Sequence, residues 1–215
     1  VGPLQCDRID PQEFYVHQRQ TILIVVLSAA GLSTLLCLGH DPSGHCQAAT
    51  FNGALSIPGE TTDLFSGGSG LHENRLGGFG SDLYYQRSTN TYYGLSDRGP
   101  GEGQISHVPR VQQFSIQLNR STGEISNFQL NDTLLFKTAD GNQDFNALDP
   151  LNLNGNPGIL GQSFDPEGLV VAPNGNFFVA DEYGPALYEF QPTTVGTVRE
   201  ARFVRALTIP DNLVP

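Results

Sequence analysis

The stretch Ser163–Phe190 reads SFDPEGLVVAPNGNFFVADEYGPALYEF. Two apolar runs, Gly168–Ala172 and Phe177–Ala180, flank Pro173-Asn174-Gly175-Asn176. An Asn-Gly pair between β-prone runs signals a tight hairpin, because the central residues of such a turn need positive φ. The outer ends of this hairpin are acidic. Asp165 and Glu167 lead into the first strand, and Asp181 and Glu182 close the second. Antiparallel pairing brings those ends together on the rim opposite the turn. Four carboxylates on one rim repel one another unless a cation or an arginine neutralises them. The candidate site is therefore that rim.

Working outward, Gly80–Pro100, GSDLYYQRSTNTYYGLSDRGP, reads as a second hairpin, with Leu83–Gln86 and Tyr92–Leu95 flanking the polar turn Arg87–Asn90. Its layout repeats that of the first. Gly80-Ser81-Asp82-Leu83 corresponds to Pro166-Glu167-Gly168-Leu169, and Ser96-Asp97-Arg98-Gly99-Pro100 to Ala180-Asp181-Glu182-Tyr183-Gly184-Pro185. Asp97 and Asp181 stand 84 residues apart, about two units of the ~40–45 residues a propeller blade occupies. Between them, Val111–Leu118 ends in alternation, Ser121-Thr122-Gly123-Glu124 makes a turn and Ile125–Leu130 returns. Leu134–Lys137, Leu187–Phe190 and Arg202–Leu207 read as further strands, Thr50–Gly78 as one short strand with loops, and Thr138–Gln162 as a surface loop. Many short strands with regular turns predict an all-β fold, and the repeat favours a propeller over a sandwich or barrel. Four to eight blades need more residues than are present. The expectation is a partial β-propeller of three to four blades, an open arc with an exposed edge strand near each end.

The N-terminal part has another character. Thr21–Leu38, TILIVVLSAAGLSTLLCL, carries no charge, follows Arg19 and precedes the small residues Cys46, Ala48 and Ala49. That order predicts a helical secretory signal over 21–48, cleaved after Ala48, with residues 1–20 as leader or upstream read-through and 49–215 as the exported propeller domain. A membrane anchor is the alternative, since ~17–25 apolar residues span a bilayer; membrane contact is expected only through that uncleaved segment. The chain has a formal net charge of −11, and 18 acids against 9 bases remain after residue 48. Such a surface repels phosphate backbones, so nucleic acid is not an expected partner. Cys6, Cys37 and Cys46 all precede residue 49, which excludes disulfides and thiol chemistry within 49–215.

Tyr93-Gly94-Leu95-Ser96-Asp97-Arg98-Gly99-Pro100, Phe164-Asp165-Pro166-Glu167-Gly168-Leu169 and Ala180-Asp181-Glu182-Tyr183-Gly184-Pro185 resemble motifs of the extracytoplasmic propeller family described as having esterase-like activity and related to phytase. The resemblance runs roughly from Leu71 to Pro215. It implies the N-terminal part of a propeller and, by analogy with propeller phytases, calcium-assisted ester hydrolysis outside the cytoplasm, in the periplasm or secreted. Fold alone does not fix function.

The rim residues carry the chemistry, each with a plainer alternative. Glu167, Asp181 and Glu182 are candidate catalytic acids. Glu167, Asp181 and Asp97 are candidate ligands of Ca²⁺, which takes six to eight oxygens. Asp97 and Asp181 can instead accept backbone N–H bonds in the Gly-Pro turns that follow them, and Asp165, before Pro166, reads as a turn acid. Arg98 can hold an anionic substrate oxygen with its planar fork or pair with an acid of a neighbouring blade. Tyr183 can line the pocket mouth or pack between blades. Asp140-Gly141-Asn142-Gln143-Asp144 is no EF-hand, since Phe145 and Leu151 stand where glycine and glutamate are required. None of Ser69, Ser96 and Ser163 lies in G-x-S-x-G, and His72 and His107 are the two histidines after residue 48, so a serine triad is not expected. The function these residues predict is hydrolysis of small ester or phosphoester substrates. The alternative is a non-enzymatic propeller with structural calcium that binds a ligand or partner.

Overall fold

A computed structural model describes residues 22–28, 50–66, 73–76, 79–99, 103–104, 107–150, 162–184, 186–208 and 210. The hairpin that decides the fold forms, but its turn is wider than a two-residue Asn-Gly turn: Pro173 and Asn174 are its central residues, and Gly175, not Asn174, takes the positive φ. β7 (Pro166–Val171) and β8 (Phe177–Asp181) pair antiparallel, from Val171 against Phe177 to Pro166 against Asp181. Gly175 closes the turn at φ 87°, a conformation that penalises a Cβ, and its N–H donates to the Ala172 carbonyl at 2.9 Å. The second hairpin is equally regular, with β3 (Phe79–Gln86) against β4 (Thr91–Ser96). Both hairpins have a register irregularity at the leading end of their first strand, between Phe79 and Asp82 and between Pro166 and Gly168. The repeat seen in the sequence is thus a repeat of backbone geometry.

Each hairpin opens a four-stranded antiparallel meander. β5 (Arg110–Leu118) and β6 (Ile125–Lys137) complete the first; β9 (Ala186–Val195) and β10 (Val198–Ala206) complete the second. The last strands of the two meanders, β6 and β10, join in parallel through Glu200–Leu135, Ala201–Phe136 and Arg202–Lys137. One eight-stranded sheet results, in the order β3-β4-β5-β6-β10-β9-β8-β7. Its two end strands come back together, and the Leu169 N–H of β7 donates to the Asp82 carboxylate of β3 at 2.6 Å. The fold is all-β, nearly closed and barrel-like, with almost no helix.

Three expectations change. The described residues hold two four-stranded meanders, not three to four blades. The difference arises because Ile125–Leu130 and Leu134–Lys137 are one continuous strand, carried past Asn131 by a register shift rather than broken by a turn. The end strands face each other instead of lying open at the ends of an arc. Finally, Ile22–Ser28, expected in a helical signal segment, is a strand (β1), paired antiparallel with β2 (Thr50–Ile57). The β-branched Ile22, Ile24, Val25 and Val26 favour extended pairing over helix. The rest of the predicted leader and signal, 1–21 and 29–49, lies outside the described residues. No helix among the described residues is long and apolar enough to cross a membrane.

Two apolar clusters hold the sheet. The larger lies between the meanders and joins Leu95, Val111, Leu134, Phe136, Phe145, Phe164, Leu169, Val171, Phe177, Val179, Phe190 and Ala201. Within it, the Phe136, Phe145, Phe164 and Phe190 ring centroids lie 4.5–5.7 Å apart. Burying each such ring contributes about 1.5–3 kcal/mol. The second cluster covers the other face of the first meander with Ile57 and Leu76 against Phe79, Phe114, Ile116 and Ile125. A buried polar network pins the chain between those two residues: Asp63 accepts from Arg110 at 2.8 Å and from Gln112 at 2.9 Å, and Thr133 donates to Gln112 at 2.6 Å. Because Phe164 is locked into the core, the residue that follows it is fixed at the end of the barrel.

Candidate functional site

That residue is Asp165, and the leading end of β7 is stitched around it. Asp181 Oδ1 accepts the Asp165 N–H at 3.0 Å and the Tyr183 N–H at 3.2 Å, while the Glu182 N–H donates to the Asp165 carbonyl at 2.9 Å. These bonds hold the entrance and exit of the β7–β8 hairpin side by side, as antiparallel pairing requires. Carboxylate oxygens of Asp165, Glu167 and Glu182 then lie within 4.8 Å of one another, Asp165 buried and the two glutamates exposed. From the first meander, Arg98 reaches over at the end of β4, its Nε 3.2 Å from Asp165 Oδ2. Ser81 at the start of β3 bonds through its side chain to both Asp97 and Glu167. The rim is therefore built by both hairpins where β3 meets β7. It opens on a cleft of about 400 Å³ lined by Arg98, Asp149, Pro150, Asp165, Glu182 and Tyr183.

Electrostatics single out Asp165. Its residue is 0 % exposed, and neither carboxylate oxygen has a hydrogen-bond partner among the described residues. Burial, the dominant influence, raises its pKa to about 7; Arg98 opposes that, and Glu167, Asp97 and Glu182 add to it. A buried acid with unsatisfied oxygens is costly unless it is protonated or paired. Burial likewise raises Glu167, helped by Asp97 and Glu182. Burial raises Asp97 and Asp181 as well, against the backbone N–H bonds each accepts. For Arg98, burial alone would lower the pKa, but Asp165, Tyr183, Asp97 and Glu182 outweigh it and hold the guanidinium charged. The donor set suits a hard cation. Oxygens up to 4.8 Å apart match ligands held ~2.3–2.6 Å from one Ca²⁺, which can be no farther apart than about twice that reach.

The structure sorts the residues picked from sequence. Glu167, Glu182 and Arg98 converge on Asp165. Asp97 and Asp181, equivalent in the repeat, do the same local job: each accepts the N–H of the residue two places on, Gly99 at 2.8 Å and Tyr183 at 3.2 Å. Asp181 lies outside the trio that gathers within 4.8 Å. Arg98 pairs with an acid of the other meander, and Tyr183 donates its hydroxyl to the Ala147 carbonyl at 3.0 Å while lining the cleft. In the sequence Asp165 reads as a turn acid, since Asp-Pro ordinarily marks a turn. The available signal was its neighbour Phe164: a large aromatic just before the acid implies a side chain anchored in the core and an acid held near it.

His107, in the segment before β5, is buried at 2 % exposure, with Nε2 3.2 Å from Ser96 Oγ. Burial, then Arg110, lowers its pKa to about 3, so the ring is neutral at any physiological pH. Its Nδ1 has no hydrogen-bond partner among the described residues.

Comparison with known proteins adds family information. A family model described as "Phytase-like: Esterase-like activity of phytase" matches residues 74–214. A protein of Arthroderma benhamiae named "Uncharacterized secreted protein" is 29% identical over 208 residues, covering 77% of this chain and 38% of that protein. The chain thus spans well under half the length of the curated relative it matches. No solved structure matches it.

Proposed function

This chain belongs to the phytase-like family, and from that premise we propose that it is part of an exported hydrolase of phosphate or other ester substrates. The observation that carries the reading is Asp165: buried, unsatisfied and grouped with Glu167 and Glu182 beside Arg98 at a cleft. In this reading the two meanders are neighbouring propeller blades, and the rim is the axial end where their first strands meet. The secreted relative supports export.

The residues divide the task. Arg98 holds an anionic oxygen of the substrate with its fork, as guanidinium does for carboxylate and phosphate. In the metal-free site Asp165, its pKa raised to about 7, takes up and releases a proton at neutral pH; as a calcium ligand it would stay ionised. Asp181 positions Asp165 through the backbone. Asp165, Glu167 and Glu182 would hold calcium, which when bound neutralises the rim and polarises a substrate oxygen. Tyr183 closes one wall of the cleft.

Burial of Asp165 also favours a second reading, in which an enclosed cation only braces two blades and the protein binds a ligand or partner without turnover. Hydrolysis of p-nitrophenyl phosphate and p-nitrophenyl esters by the full-length protein, in calcium and in EDTA, separates the two. Turnover lost in Asp165→Asn and Arg98→Ala supports the hydrolase. Calcium stabilisation with no turnover of any substrate in the panel overturns it in favour of the structural cation.

A further inference from the structure

A second cleft, of about 800 Å³, lies at the opposite ends of the strands from the acid rim, where the β3–β4 and β5–β6 turns meet. Its volume is that of a small-ligand site. A ladder of rings runs across the strands beneath it: Phe114 stacks on Tyr92 at 5.5 Å, and Tyr92 stacks on Tyr85 at 4.5 Å. Phe114 is buried, whereas Tyr85, on the end strand β3, is 38 % exposed. Arg87, Asn90, Gln117, Asn119 and Arg120 supply polar groups around it. An exposed aromatic ring among amides and arginines suits a ligand with one apolar face and many hydroxyls, which is the chemistry of a sugar ring.

One lining residue can carry such a ring covalently. Asn119-Arg120-Ser121 is an N-glycosylation acceptor sequence. Asn119 is exposed at the start of the β5–β6 turn, where its side-chain Oδ1 accepts the N–H groups of Ser121 at 3.0 Å and Thr122 at 3.3 Å. The turn thus uses the amide oxygen, and the nitrogen Nδ2 is the atom to be modified. We propose that Asn119 is N-glycosylated in a eukaryotic secretory pathway and that the Tyr85–Tyr92 cleft seats the first sugars of its own glycan. The transfer forms the bond from sugar C1 to Asn119 Nδ2. It breaks the C1–O bond to a lipid-linked diphosphate oligosaccharide, and the proton leaves Nδ2 as the diphosphate departs. The glycan then covers an aromatic surface that would otherwise face water, at the end of the molecule away from Asp165, so the rim stays accessible.

The inference rests on the export half of the reading above and is independent of the hydrolytic half. The test is synthesis of the full-length protein with eukaryotic microsomes and secretion from a fungal host, followed by N-glycosidase treatment and peptide mapping. A peptide in which Asn119 has become aspartate by enzymatic release supports the modification. Ser121→Ala should abolish it while leaving the Asn119 side chain in its turn, a cleaner variant than replacing Asn119 itself. Protein protected inside microsomes but unmodified at Asn119 overturns the glycan proposal. Protein that never enters them overturns the export premise instead. Seating is read separately: enzymatic removal of the glycan should lower the melting temperature of the parent and leave that of Tyr85→Ala unchanged. Equal losses in both, or none in the parent, overturn the seating.

Discussion

Replacing Asp165 with asparagine should stabilise the calcium-free protein at alkaline pH. Aspartate titrates near 3.9 in an unfolded chain, and burial lifts Asp165 to about 7 in the fold. Between those values the folded state binds the proton and the unfolded state does not, so stability falls as pH rises. The penalty is absent below pH ~4, grows through pH ~4–7 and is constant above. Three units correspond to at most about 4 kcal/mol, or roughly 8–16 °C in Tm for a chain of this size. Asparagine keeps the shape and cannot ionise. Arg98, left without its partner, is 35 % exposed and remains hydrated. Urea unfolding in EDTA at pH 5 and pH 8 measures the effect. The parent should weaken between the two, and Asp165→Asn should weaken less, by what the raised Glu167, Asp97 and Asp181 still contribute. Calcium should restore the parent at pH 8 by binding only the folded, ionised form and do little for the variant. A parent equally stable at both pH values, or a variant less stable than the parent at pH 8 in EDTA, would refute the account of Asp165 as a buried acid that Arg98 compensates only in part.

Arg98→Ala removes the main influence opposing burial at Asp165, so the pH at which the stability loss levels off should move above ~7; a plateau reached at the same or a lower pH contradicts the pairing. Glu167→Gln preserves shape and removes charge, so the rise in Tm given by calcium should shrink; an unchanged rise would place the cation elsewhere. Asp63→Ala leaves the Arg110 guanidinium buried without its acid and should cost about 3–5 kcal/mol in urea unfolding; a loss under 1 kcal/mol would mean that the network is solvated. Gly99 sits at φ 63°, and a Cβ there would lie 2.3 Å from His107 Cδ2. Gly99→Ala should therefore destabilise by about 1–3 kcal/mol, read by thermal melting, and a neutral result would show that the His107 ring can yield.

The fold was legible where local chemistry decides it. The apolar runs on either side of Pro173-Asn174-Gly175-Asn176 mark the β7–β8 hairpin, though not its turn type, and alternation in Val111–Leu118 marks β5. The Gly80–Pro100 echo of Pro166–Pro185 returned as two hairpins with matching backbone irregularities. Legibility failed where tertiary pairing decides. Nothing near Asn131 says that the chain should continue through a register shift rather than turn, so from sequence β6 reads as two strands. The Ile-Val-Val run at 22–28 suits either a buried helix or a strand until a partner is known, and β2 supplies the partner.

The site divides along the same line. Asp97 and Asp181 stand out in the sequence because each closes a strand before a Gly-Pro pair, yet that is the very context that commits a carboxylate to backbone N–H groups. Asp165 is inconspicuous, and its character comes from contacts the local sequence does not contain. Phe164 anchors it in the core, and Arg98 meets it from the other meander. The pair forms because β6 and β10 join at one side of the sheet and thereby bring β3 back against β7. Either hairpin alone would leave its acids in water, with ordinary titration and weak hold on a cation. Juxtaposing the two copies removes one acid from water and supplies an arginine to face it. The chemistry of this rim therefore belongs to the repeat, and a change that loosens the β3–β7 contact, such as loss of the Asp82 carboxylate, should return Asp165 toward ordinary titration without touching any residue of the cleft.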